Sequence, residues 1–274
     1  MNNAYGPPTK AVILARGLGS RMRETAEGIA LTSEQSAAAD AGVKAMIPIG
    51  RPFLDHVISA LADAGFVDIC LVIGPEHDLI RDYYDSLEKT RVRIRYAVQE
   101  EPLGTADAVL AAEEFAGDER VLVINSDNYY PADALTLLTE APGPALVGFA
   151  RDAMLAHSTL APDRIAAFAL ATADADDNLA ELVEKPDEVA VQRLGDDAVV
   201  SMNCWLCTPA IFPAARAISK SARGEYEITD AVRAAIAGGD PYRVVRARAG
   251  VLDMSHRGDI ASVAEALGAK EVVL

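Results

Sequence analysis

Four separated segments carry residues suited to holding phosphate or the metal that accompanies it. The first, Leu14-Ala15-Arg16-Gly17-Leu18-Gly19-Ser20-Arg21-Met22, follows an apolar run. Gly17 and Gly19 let the backbone approach an anion closely, Ser20 adds a donor, and Arg21 brings a guanidinium suited to a triphosphate. Met22 stands where a dinucleotide fingerprint has its third glycine, and no Gly-Lys-Ser/Thr follows, so the loop is neither that fingerprint nor a Walker A loop. A plain strand-to-loop turn uses the same glycines. Lys44 lies just before an apolar run, in Val43-Lys44-Ala45-Met46-Ile47-Pro48; taken alone it reads as a solvated lysine. Asp127 ends the run Val121-Leu-Val-Ile-Asn125. There it is placed to hold Mg²⁺ against phosphate oxygens, or to make an Asx turn or cap before Pro131. Asp253, after Val251-Leu252, is a second carboxylate of this kind.

Other candidate ligands point nowhere. Cys204 and Cys207 form a C-x-x-C, but residues three apart on a strand face opposite sides, and zinc would need two more ligands. His56 reads as the exposed side of a helix. His77 and His157 lack metal-type spacing, and His256 follows Asp253 closely without an assigned role.

The elements that must position these residues alternate. Ala11–Ala15 reads as a buried strand, Pro52–Gly65 as an amphipathic helix, Val67–Ile73 as a strand and Pro75–Leu87 as a helix. Arg91–Val98 alternates as a half-exposed strand, Gly104–Phe115 is helical, and Val121–Ile124 is a buried strand. This order implies a parallel sheet covered on both faces. After residue 150, strand-like runs at Arg164–Ala171, Leu179–Val183 and Val199–Cys207 are followed by helices at Pro209–Ser219, Ile228–Ala237 and Gly258–Leu267. No linker divides the chain. It reads as one α/β domain over 1–274, with halves 10–150 and 151–274 sharing a sheet. Ligands of such sheets bind beyond the carboxyl ends of the strands.

Of 274 residues, 51% are hydrophobic and 24% charged, which excludes a disordered chain. A net charge of −16 argues against duplex nucleic acid and an anionic membrane as partners. The opening Met-Asn-Asn-Ala-Tyr-Gly-Pro-Pro has no basic or apolar leader pattern, so the protein reads as cytoplasmic. A homo-oligomer stays open.

In their order along the chain, the segments resemble the sugar-1-phosphate nucleotidylyltransferases, or sugar-nucleotide pyrophosphorylases. LARGLGSRM looks like that family's glycine-rich loop, and Lys44-x-x-x-Pro48 with Gly50-Arg51-Pro52 looks like its lysine segment. Gln99 to Ala106 looks like its base-reading loop, and Asn125-Ser-Asp127-Asn128 like its magnesium aspartate. Glu184-Lys185-Pro186 matches its E-K-P, Gly224 to Asp230 its G-E-x-E-I-T-D, and Leu252-Asp253 its second magnesium aspartate. The resemblance implies a nucleotide-diphospho-sugar transferase fold (GT-A-like, Rossmann-like): a mixed sheet flanked by helices. It implies an NTP and a sugar-1-phosphate, or a cyclitol phosphate, as substrates. Arg21 and Lys44 would be catalytic. Leu14, Ala15, Gly17, Gly19, Ser20, Gln99, Gly104 and Thr105 would join Arg21 on the NTP. Asn128, Glu184, Lys185 and Asn203 would take the sugar phosphate, and Asp127 and Asp253 would hold Mg²⁺.

The sequence departs from the family in places. Arg16 replaces a small residue, and Ala166 stands near where the family often has a glycine. About twenty residues separate Arg21 from Lys44, longer than the family's usual gap; the polar, Ala-rich Glu24–Ala41 stretch reads as a lid. A glycosyltransferase of related fold would want a D-x-D motif, whereas Asn128 and Tyr129 follow Asp127. A regulatory subunit that senses nucleotide sugars without catalysis should have lost Arg21, Lys44 or Asp127, and all three are present.

Overall fold

The computed structural model describes residues 5–17, 19–24 and 31–274. Among these residues, nine strands form one mixed sheet. In chain order they are β1 (Lys10–Leu14), β2 (Asp68–Ile73), β3 (Arg93–Val98), β4 (Val121–Asn125), β5 (Ala145–Phe149), β6 (Ala169–Ala173), β7 (Leu179–Val183), β8 (Val199–Cys207) and β9 (Arg243–Ala247). The order across the sheet is β7-β6-β8-β4-β1-β2-β3, with β5 on the other side of β8 and β9 beyond β5. β4, β1, β2 and β3 are parallel. The buried ones read as nearly continuous apolar runs because helices cover both faces, whereas β3 at the edge alternates.

One face carries Ala11, Ile13, Ile69 and Leu71 against the helix Phe53–Asp63. The other carries Val12, Cys70 and Val72 against the helices Thr105–Ala111, Ile211–Ala217 and Ile228–Ala237. Cys204 packs in the first core and Cys207 in the second, so the C-x-x-C straddles the sheet as its spacing requires.

Several expected elements differ. Arg164–Ala171 is not one strand: Pro162–Ala166 is a helix with proline in its first turn, and the strand runs Ala169–Ala173. The Gly104–Phe115 helix breaks at Ala112. β5, from the front half, lies between β8 and β9 of the back half, so the halves interleave. His56 is buried, at 5% exposure. Its helix face is covered by the C-terminal segment, in which Val273 N–H donates to Ser59 Oγ and Leu274 C=O accepts from Thr90 N–H.

β8 organises the site. Along one edge Val200–Ser201 and Trp205–Leu206 pair β5; along the other, Val199–Ser201 pair β6 and Trp205–Cys207 pair β4. Between these stretches the register shifts, and Asn203 takes φ +54°. A non-glycine residue in that region is strained unless its surroundings hold it. Tyr130, wholly buried, supplies one restraint: its hydroxyl donates to Met202 C=O at 2.5 Å. Tyr130→Phe is expected to lose about 1–2 kcal/mol by urea unfolding, because the buried Met202 carbonyl loses this partner. A loss under about 0.3 kcal/mol, below a typical hydrogen bond, would show that the bulge holds itself.

Candidate active site

The carboxyl end of β1 lies between those of β2 and β4 and is stitched to both beyond the strand, Ala15 N–H to Val72 C=O of β2 at 2.8 Å and Ser126 N–H, after β4, to Leu14 C=O at 3.2 Å. Gly19 has φ +62° and starts the short helix Ser20–Arg23. A side chain at Gly19 would collide with the backbone of Gly42, itself at φ +76°. This contact is what lets the turn carrying Arg21 meet the segment carrying Lys44. Residues 25–30 of the stretch read as a lid lie outside the described residues. Its later part is a helix, Ser33–Ala41, with a Thr32/Gln35 capping box. Gln35 donates to Pro48 C=O at 2.9 Å. Arg257 clamps both sides, donating to Met22 C=O at 2.9 Å and pairing with Asp40.

Lys44 Nζ lies 2.9 Å from Asp127 Oδ2. Asn128–Tyr129 pairs antiparallel with Leu252–Asp253, and Met254 N–H donates to Asp127 C=O at 2.8 Å. The two aspartates are therefore neighbours. Asp253 Oδ1 accepts from Asn128 Nδ2 at 3.2 Å and from Ser255 Oγ at 2.8 Å, while Oδ2 pairs with Arg164. Arg164 also reaches Asp259 Oδ1 at 2.5 Å. Burial, and then the charge of Asp127, push the Asp253 carboxyl up to about 6. His256 is held below its ordinary value by partial burial and next by Arg164, with Arg21 and Lys44 acting in the same direction. Two close oxygen-donor carboxylates suit a hard cation such as Mg²⁺, which takes one or two carboxylates and fills its shell with water and phosphate oxygens.

The other walls come from loops. Gly104, at φ +121°, packs backbone to backbone against Tyr226, and no side chain would fit between them. Tyr226 N–H donates to Leu103 C=O and Ile228 N–H to Thr105 Oγ1, both at 2.8 Å. Gln99, buried, donates its amide to Gly104 C=O at 3.0 Å and to Asp107 Oδ2 at 2.7 Å. Lys185, following β7, takes φ +46°. Glu184 is exposed to the cleft, yet enough protein surrounds it that its carboxyl is pushed up.

These walls enclose a cleft of about 700 Å³. It is lined by every residue that the resemblance assigns to substrate or metal: Leu14, Ala15, Gly17, Gly19, Ser20 and Arg21; Lys44, Gln99, Gly104 and Thr105; Asp127, Asn128 and Asp253; Glu184, Lys185 and Asn203. A chain of net charge −16 here gathers six cations, Arg16, Arg21, Lys44, Arg164, Lys185 and Arg223, against five carboxylates, so the cleft is not closed to anions. Ala166 is not among the lining residues; Ala167, Phe168 and Ala169 take that place. Arg164 and Ser255 were not singled out. Pro162-Asp163 before Arg164 was a helix-start signal, but nothing local ties that helix to Asp253.

A protein-family model described as "Nucleotidyl transferase" matches residues 10–254. The chain belongs to this family. Among similar proteins, the low-salt glycan biosynthesis nucleotidyltransferase Agl11 of Haloferax volcanii is 28% identical over 84% of the chain and 58% of its own length. The UTP–glucose-1-phosphate uridylyltransferase AglF of the same organism is 28% identical over 91% of the chain and 93% of its own length. The chain thus spans little more than half of one relative and nearly all of the other. A crystal structure of UDP-glucose pyrophosphorylase with UDP-glucose superposes with a TM-score of 0.72, at 17% identity, over 96% of this chain and 99% of that one, and so shares the fold. Among the described residues, no helix is long and apolar enough to cross a membrane.

The raised Asp253 carboxyl makes a signed prediction. Its folded value, about 6, exceeds the ordinary 3.8, so between these pH values the folded chain holds more protons than the unfolded one. Asp253 therefore favours folding at low pH, and stability is lost as the pH rises through this window. In metal-free buffer, the stability of wild type relative to Asp253→Asn should fall by on the order of 1–2 kcal/mol between pH 4 and pH 7. Urea unfolding of both proteins across that range measures it. A difference that does not change with pH would mean that Asp253 titrates as an ordinary aspartate.

Proposed function

We propose that this member of the family transfers a nucleotidyl group from an NTP to a sugar-1-phosphate, or to a sugar-like cyclitol phosphate, releasing pyrophosphate. The observation that carries the reading is the meeting of the Lys44–Asp127 pair with Asp253, the Gly17–Arg21 turn and the Glu184-Lys185 segment around one cleft. The relatives named as glucose-1-phosphate uridylyltransferases support it from outside.

The chemistry fits these side chains. The phosphate of a sugar-1-phosphate is largely dianionic near neutral pH, so its attacking oxygen needs no general base. The barrier lies in bringing anions together and in stabilising charge on the α-phosphate and the leaving pyrophosphate. Arg21 and Lys44 would hold the triphosphate from the β1 side. Lys185 would hold the sugar phosphate, with Glu184, Asn128 and Asn203 on sugar hydroxyls. Ser255 gives its hydroxyl to Asp253, not to His256, whose Nδ1 faces Asp259 at 3.6 Å, so these two do not form a nucleophile and base. Asp127 and Asp253 would hold Mg²⁺, which when bound neutralises phosphate charge. Before ligands arrive, Lys44 and Arg164 balance these carboxylates and keep them in place.

Pyrophosphate release on mixing five NTPs with a panel of sugar-1-phosphates and Mg²⁺ tests the reading. Transfer from a nucleotide sugar without pyrophosphate would make the protein a glycosyltransferase, and binding without turnover would make it a sensor. Asp127→Asn is expected to lower turnover at least ~100-fold, since a metal's charge stabilisation is worth several kcal/mol. A variant within about tenfold of wild type, short of that contribution, would remove Asp127 from the metal site. Glu184→Ala and Lys185→Ala should each raise the sugar-phosphate KM about tenfold, by loss of a charge-assisted contact, and the NTP KM much less. Equal effects on both substrates would make that segment structural.

A further inference from the structure

One charged side chain in the cleft is left over. The Arg16 side chain is only 8% exposed, and its Nε and Nη1 are buried with no hydrogen-bond partner. Nη2 alone has a neighbour, Glu76 Oε2 at 3.5 Å, on a half-exposed carboxylate. A guanidinium this buried is costly unless an acceptor meets it. The fold makes room for it: a side chain at Gly74 would run into Arg16 Nε and Glu76.

Its position says which part of a ligand it meets. The phosphate-type groups, Gly19 to Arg21 and Lys44, lie on the side of β1 nearer β4 and Asp127. Arg16 instead packs over Gly74, at the end of β2. The residue before Gly74, Ile73, accepts from Gln99 N–H at 2.9 Å, which puts Gln99 beside it. Both donors of the Gln99 amide are spent on Gly104 and Asp107, and these two acceptors fix which way the amide points. Gln99 Oε1 accepts from no described residue, and Gln99 lines the cleft, where this oxygen is an acceptor only.

We propose that Arg16 is a specificity-determining residue that donates to the exocyclic carbonyl oxygen of a keto nucleobase while Gln99 Oε1 accepts from the adjacent ring N–H. Guanine, uracil and thymine present that pair of groups. In the same register adenine and cytosine turn an amino group towards the guanidinium and a ring nitrogen towards Oε1, so both contacts become mismatched. Sites built on buried polar groups discriminate strongly because the wrong ligand leaves those groups unpaired. The proposal rests on the nucleotidyl-transfer reading for its ligand and adds the class of base.

The test compares wild type with Arg16→Met, which keeps bulk without charge, and with Arg16→Lys. Pyrophosphate release with GTP, UTP, dTTP, ATP and CTP gives kcat/KM, and calorimetric titration with GDP, UDP, ADP and CDP gives binding independently of turnover. Wild type should favour keto over amino bases at least ~100-fold. Arg16→Met should lose at least ~10-fold on keto bases and less than ~3-fold on amino bases, for both kcat/KM and affinity, with the sugar-phosphate KM unchanged. Arg16→Lys should recover part of the loss. The melting temperature of Arg16→Met without ligand should not fall, because a buried charge with two unpartnered nitrogens and one long contact to Glu76 has been removed. A loss shared by all bases would assign Arg16 to ribose, phosphate or the fold and overturn the proposal, as would no loss at all or a wild type that prefers ATP or CTP. If no NTP is turned over, nucleotidyl transfer fails, while the titrations still decide the role of Arg16.

Discussion

Asp127 and Asp253 lie 126 residues apart in sequence and become neighbours through the pairing of Asn128–Tyr129 with Leu252–Asp253. Two carboxylates brought together in a partly dry place repel, and burial alone disfavours their charges. The surrounding structure can be understood as the answer to that constraint. Lys44 is set against one aspartate, and Arg164 against the other. Asn128 and Ser255 donate to Asp253, and Asp259 holds Arg164 from behind. Asp259 in turn accepts from the backbone N–H groups of Ser255 and His256, at 2.9 and 2.7 Å, which shapes the turn after Asp253. Two acidic residues thus fix the positions of a lysine, an arginine and a helix start.

The second device is the long strand Val199–Cys207. Because its two halves pair different neighbours on one edge, the strands Val121–Asn125 and Ala169–Ala173 part around Asn203. A sheet with full pairing there would leave no room for a ligand above its strand ends. Opening it sets up the cleft between the nucleotide-side turn and the Glu184-Lys185 segment. The strain of Asn203 and Lys185, both at positive φ, is concentrated at that opening, where a rigid surround can hold it.

Close backbone contact does similar work elsewhere. Gly19 against Gly42, and Gly104 against Tyr226, join loops whose side chains would otherwise keep them apart. The long connection between Arg21 and Lys44 is tied down at its far end by the Ser33–Ala41 helix, its capping box and Arg257. Cations come together in the cleft of an acidic protein because the contacts of the sheet, not the overall charge, decide which residues face one another.

Much of this was legible in the sequence because it is local. Apolar runs such as Ala11–Leu14 and Val121–Ile124 leave a strand no choice but burial, and glycines or carboxylates at their ends mark where a ligand can approach. Hence every residue selected for the site lines one cleft. What the sequence could not show depends on residues far apart along the chain. The C-terminal segment buries His56, the strand Ala145–Phe149 crosses into the back half, Arg164 reaches Asp253, and Arg16, packed against Gly74, keeps two nitrogens, Nε and Nη1, without a partner. The sequence by itself determined the element types and the kind of chemistry at each strand end, since both follow from side chains a few residues apart. Only the tertiary structure decided which charges are paired and which are left free for a ligand, because pairing depends on distances that the fold alone sets.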